Sequence, residues 1–92
     1  MTRSILQDKK ECYFCPKRYG LERHHIMAGP ANRKLSEKYG LWVYVCHNHH
    51  TGKEGAQYEK VLNMLLKQRA QKAFESIYGH QLWMDTFRKN YL

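Results

Sequence analysis

Two short ligand pairs constrain this chain more than any other feature. Cys12-Tyr13-Phe14-Cys15 and Cys46-His47-Asn48-His49 each place two metal-binding side chains three positions apart, with 30 residues between the pairs. The chain has three cysteines, so they cannot all pair as disulfides within it, and a Cys3His set uses all of them. Four such ligands suit tetrahedral zinc, and two tight turns brought together by a fold are how structural zinc is usually held. The expected structural site is Cys12, Cys15, Cys46 and His49. His47 and His50 are alternatives for the fourth ligand, and the matching two-residue gap favours His49.

A chain of 92 residues forms one small domain whose apolar core alone is marginal, so a metal staple has a physical purpose. Met1 to Glu11 is polar and charged and does not resemble a secretory signal. No apolar run approaches the roughly 18 residues of a membrane span. The expectation is a protein of a reducing, cytoplasmic compartment with no membrane partner.

The charge points to a polyanion. Sixteen Lys and Arg against eight Asp and Glu leave +8, with a pI near 9.6. The cations are spread over the segments expected to fold and do not form a tail, which favours a binding face. DNA is the expected partner, with Lys17, Arg18, Arg23, Arg33, Lys34 and Lys53 as contact candidates.

The expected fold class is α+β. Residues 1–10 read as a loose lead-in, 11–55 as the zinc knuckles and associated strands, and 56–92 as supporting helices. Leu21 to Met27 reads as a short strand stopped by Gly29-Pro30. Asn32 to Tyr39 is a short helical or irregular piece ending at Gly40. Leu41 to Val45, aromatic and β-branched, is the best strand and runs into the second ligand pair. From 56 to 78 the apolar residues step at helical spacing: Tyr58, Val61, Leu62, Leu65, Leu66, Ala70, Ala73, Phe74 and Ile77, with Arg69 the one polar intruder. Thr51 and Glu54 have capping-box spacing, Gly79 stands where the helix should close, and Gln71 falls on the polar face. Leu82, Trp83, Met84 and Phe87 mark a last amphipathic piece.

Five histidines remain after zinc takes one. In an extended strand the adjacent His24 and His25 point to opposite sides, so one can face a metal and the other a substrate. His50 follows the last zinc ligand directly.

With these residues the chain resembles the HNH endonucleases, the ββα-metal nucleases, in their zinc-stapled branch. The resemblance is carried by Cys12-x-x-Cys15, then Arg23-His24-His25-Ile26, then Cys46-His47-Asn48-His49-His50. Size and basic surface are also similar to the small HNH proteins of bacteriophages and prophages. The resemblance implies a zinc-stapled ββα-metal domain backed by a long amphipathic helix. It implies DNA phosphodiester hydrolysis, by nicking or cleavage, leaving 5′-phosphate and 3′-hydroxyl ends. It places His25 as general base and His24 and His50 as ligands of a catalytic divalent metal, with Glu54 one turn on as a further candidate. His49 stands where many relatives carry a cysteine. The loop-orienting asparagine falls to Asn32, with Asn48 as the other candidate. Mg, Mn, Ni, Co or Zn would serve as the catalytic ion beside the structural zinc. The alternatives are a non-catalytic zinc module that binds nucleic acid, and a phage protein that docks on DNA-packaging or host machinery, in the host cytoplasm.

Overall fold

A computed structural model describes residues 3–27, 29–50 and 60–92. Within them the order is β1 (Leu21–His25), α1 (Pro30–Tyr39), β2 (Trp42–Cys46), α2 (His47–His50), α3 (Lys60–Tyr78) and α4 (His80–Phe87). It is a small α+β architecture with a two-stranded antiparallel sheet. The segment with capping-box spacing and the first residues of the long helix, 51–59, lie outside the described residues.

The two strands are joined through a ten-residue helix rather than a tight turn. Pro30 opens α1 because its fixed φ suits a first helical position and its missing N–H costs nothing there. This starts the helix two residues before the expected Asn32. Gly40 closes it in the left-handed conformation, φ 71°, with its N–H on the Ser36 carbonyl, and Leu41 donates to the same oxygen at 2.8 Å.

The register pairs Leu21 with Cys46, Arg23 with Tyr44, His24 with Val43, and His25 with Trp42. Opposed residues share a face, so Arg23, His25, Trp42 and Tyr44 line one side of the ribbon. Glu22, His24, Val43 and Val45 line the other. Val43 and Val45 are fully buried, and their side joins the core.

The segment expected to be a loose lead-in is tied to the outer edge of β2. Ile5 donates its N–H to Gly40 at 3.0 Å, the Ser4 hydroxyl donates to the Trp42 carbonyl, and the Gln7 side-chain oxygen accepts the Tyr44 N–H at 3.0 Å. Tyr13 returns an N–H to the Tyr44 carbonyl at 2.8 Å. An open strand edge leaves unpaired donors and acceptors, and this polar segment satisfies them while Ile5 and Leu6 pack on the core.

Phe74 links the helical half to α1. Its ring lies 5.0 Å from Tyr39 and 5.4 Å from Trp83, and all of Phe74, Trp83, Leu66 and Ala70 is buried. Gly79 serves both neighbours: its N–H closes α3 on Glu75, and its backbone opens α4. Gln71, expected on the polar face, is fully buried. The chain after α4 folds back over it: Gln71 donates to Asn90 Oδ1 at 2.6 Å and to Glu75 Oε2 at 2.7 Å, and accepts the Tyr91 N–H at 2.7 Å. A side-chain amide can bind a returning tail with both its oxygen and its nitrogen, which an apolar residue cannot. The stripe is also narrower than its periodicity, because Val61 and Ile77 at its ends are exposed. No described helix is long and apolar enough to cross a membrane.

Candidate metal centre and histidine pair

The first knuckle is a turn between residues 12 and 17, closed by the Cys12 N–H on the Lys17 carbonyl at 2.8 Å. The second is the junction of β2 and α2, where Cys46 ends the strand and His49 sits in the helix. One ligand atom from each of Cys12, Cys15, Cys46 and His49 lies within 4.8 Å of all the others. His49 Nδ1 is 3.1 Å from Cys46 Sγ and 3.5 Å from Cys12 Sγ, and Cys15 Sγ is 3.9 Å from Cys46 Sγ. Tetrahedral zinc with bonds of about 2.3 Å to sulfur and 2.0–2.1 Å to nitrogen sets its ligands roughly 3.5–3.8 Å apart. The four atoms therefore fit a structural metal such as zinc, and His49 rather than His47 is the histidine in this set.

The donor chemistry agrees. Burial opposes ionisation of Cys12, but the backbone amides of Cys46 and Phe14 and the two neighbouring thiols outweigh it and lower its pKa. At Cys15 the Lys17 amide favours the thiolate, yet burial and the adjacent Cys12 and Cys46 sulfurs push its pKa up. Adjacent sulfurs resist joint ionisation, and a cation among them removes that resistance. All three cysteines are free of disulfides.

Around the centre, Phe14 lies 5.7 Å from the His49 ring and packs edge-on to Tyr13. Arg69 donates to the Tyr13 hydroxyl at 3.0 Å, which accounts for a cation on the apolar stripe of α3: it latches the helix to the knuckle.

His24 and His25 do lie on opposite faces. His24 is buried, 7 % exposed, on the side where Glu22 meets His47 of α2 at 3.5 Å. His47 itself is largely exposed. The side chain of His50 lies outside the described residues, as do Glu54 and Lys53, so the expected catalytic-metal ligands are represented among them by His24 alone.

His25 is the end of β1, and its side chain is mostly covered. Its Nε2 is 2.7 Å from Glu37 Oε1 of α1. A carboxylate only accepts, so Nε2 carries the proton and, in the neutral ring, Nδ1 keeps its lone pair. Glu37 also accepts Arg23 Nη1 on both oxygens, at 3.1 Å each. The hydrogen bond from His25, aided by Arg23 and opposed by burial, lowers the Glu37 pKa. Asn32, the expected orienting residue, sits in the first turn of α1, and the side chain that reaches His25 is that of Glu37.

Glu37 was not singled out from sequence, although a signal exists: it is the one acid between Glu22 and Glu54 in a strongly basic stretch. Of the expected DNA-contacting residues, Arg33 and Lys34 are exposed on α1. Arg18 is exposed and lies 3.7 Å from Glu11, and Lys17 rests over Tyr19. Arg23 is committed inward: its guanidinium pairs with Glu37 and stacks 3.8 Å from the centre of the Trp42 ring. The chain matches no protein-family model, no curated protein and no solved structure.

Proposed function

We propose that this protein is a zinc-stapled, metal-dependent endonuclease of the HNH type that hydrolyses DNA phosphodiester bonds. The observation that carries the reading is the His25–Glu37 contact, 2.7 Å long, in a chain whose Cys3His cluster and histidine pair follow the motif order of that family. Hydrolysis needs a base that takes a proton from water near neutral pH, and a neutral imidazole with a free nitrogen suits the task. Glu37 holds the ring by Nε2, so Nδ1 is the atom that accepts the proton, and the carboxylate stabilises the imidazolium that results. The structural zinc at Cys12, Cys15, Cys46 and His49 keeps β2, α2 and the first knuckle in place. A divalent cation held by His24 and His50 would supply charge neutralisation at phosphorus.

A second reading keeps DNA binding and drops catalysis. It is favoured by Arg23, because a structural ion-pair network also engages a histidine and a carboxylate in this way.

Supercoiled plasmid incubated with the zinc-loaded protein and Mg, Mn, Ni, Co or Zn separates the two. Nicked or linear product that needs added metal and disappears with EDTA is expected. His25→Ala should cut about 10²- to 10⁴-fold more slowly, the usual loss of a general base, with zinc content and DNA affinity retained. No product with any of the five metals, or a His25→Ala protein as fast as wild type, overturns the assignment.

A further inference from the structure

The lead-in segment leaves an open groove of about 240 Å³ against the outer face of the ribbon. Trp42 and Tyr44 form part of its wall, and Arg3, Lys9 and Lys10 reach it from residues 3–10. Those three side chains are exposed, and none has a carboxylate within ion-pair distance among the described residues. Asp8 is the single acid on the lining. Arg23 also lines it, but its charge is already met by Glu37. Three unpaired cations held around one small concavity repel each other, and an anion is the ligand that relieves them.

The aromatic wall decides which anion. Trp42 is 4 % exposed, with Arg23 on its face and the Tyr44 ring edge-on at 5.0 Å, and Lys10 lies 5.7 Å from the centre of the Tyr44 ring. No face of Trp42 is left on which a nucleobase could stack. The groove is also below the roughly 300–1,000 Å³ usual for a small-molecule pocket. A phosphate of a polymer backbone fits, because it needs charge and hydrogen-bond donors without a stacking platform.

Position gives the site its use. Trp42 is the register partner of His25, and Arg23, two residues along the same strand, shares Glu37 with His25. We propose that this groove is a DNA-backbone clamp: Arg3, Lys9 and Lys10 hold phosphate of the strand next to the one presented at His25. The proposal rests on the nuclease reading for its orientation and on the groove alone for its binding. A clamp that holds only phosphate is sequence-independent, because backbone contacts carry no base information.

The test is the salt dependence of duplex-DNA affinity, measured by fluorescence anisotropy without added divalent metal to prevent cutting, on zinc-loaded protein of verified metal content. Wild type is compared with Lys9→Gln/Lys10→Gln and with Lys72→Gln/Lys89→Gln, which removes the same charge outside the groove. Each lost phosphate contact should lower the slope of log K against log salt by about 0.9. The groove variant should therefore lose close to 2 in slope, and the control variant much less. Equal losses in both variants, or an unchanged slope in the groove variant, overturn the clamp. Wild-type protein that binds no duplex at about 50 mM salt overturns it too. Plasmid cleavage measured in parallel separates the two ideas: a groove effect on binding in a protein that never cuts upholds the clamp and removes the nuclease reading.

Discussion

Twelve positions separate His25 from Glu37, and their contact sets the protonation pattern of the ring. The carboxylate is partly exposed, and the His25 hydrogen bond and Arg23 together lower its pKa despite burial. Linkage gives the sign. A carboxyl whose pKa is lower folded than unfolded stabilises the fold above its unfolded value of about 4.5, and that contribution fades as pH falls through the folded value. Glu37→Gln should thus lower the urea midpoint at pH 7, and the gap to wild type should narrow at a second, acidic pH below 4.5. An equal gap at both pH values would show that the charge of Glu37 contributes nothing to folding. The same variant should slow cleavage by less than the 10²- to 10⁴-fold expected for losing the base, because an amide oxygen still accepts from Nε2 but cannot stabilise the imidazolium.

Among the elements, the edge of β2 is the most exposed to a single substitution. Gly40 has φ 71°, and a Cβ built there would stand 2.1 Å from the Arg3 carbonyl oxygen and 3.2 Å from the Ile5 nitrogen. Both neighbours are backbone, so neither can rotate away. Gly40→Ala should cost about 1–3 kcal/mol from the left-handed conformation, and should also push residues 3–7 off the strand. Hydrogen exchange checks the second effect: the Ile5 and Tyr44 amides should lose protection while the α3 amides near Phe74 keep theirs. Uniform loss across both sets would mean that the lead-in is part of one cooperative unit with the helices.

For the molecule as a whole, two halves depend on different sources of stability. The helical half has an aromatic core, with Phe74, Trp83, Phe87 and Tyr91 in a connected cluster. Among the described residues the ribbon half has two strands, and a two-stranded sheet is marginal without help. Its help is the Cys3His cluster, which joins residue 12 to residue 49. Structural zinc contributes on the order of 10 kcal/mol in small zinc peptides, so Cys46→Ser or stripping with a chelator should unfold the ribbon half. Circular dichroism should still report helix from α3 in the stripped protein if the aromatic cluster stands alone. Unchanged thermal stability on loss of zinc would remove its structural role.

Much of this was legible in the order of residues. The ligand pairs announce themselves because two knuckles impose fixed short spacings, and three cysteines in one chain leave little else for them to do. The β2 strand and the long helix are visible because β-branched runs and helical periodicity are local properties. The partners of polar groups were not visible. Gln71 lies on the face that periodicity calls polar, and only the returning tail at Asn90 and Tyr91 makes that position an interior one. Residues 3–10 have the composition of a loose end, and it is the open edge of β2 that gives them hydrogen-bond partners. Glu37 is one acid among many cations until α1 is laid across β1 and the carboxylate meets His25 and Arg23. Ligand identity and strand propensity are written in neighbouring residues. Which distant donor meets which acceptor is a matter of chain path, and tertiary structure alone decides it.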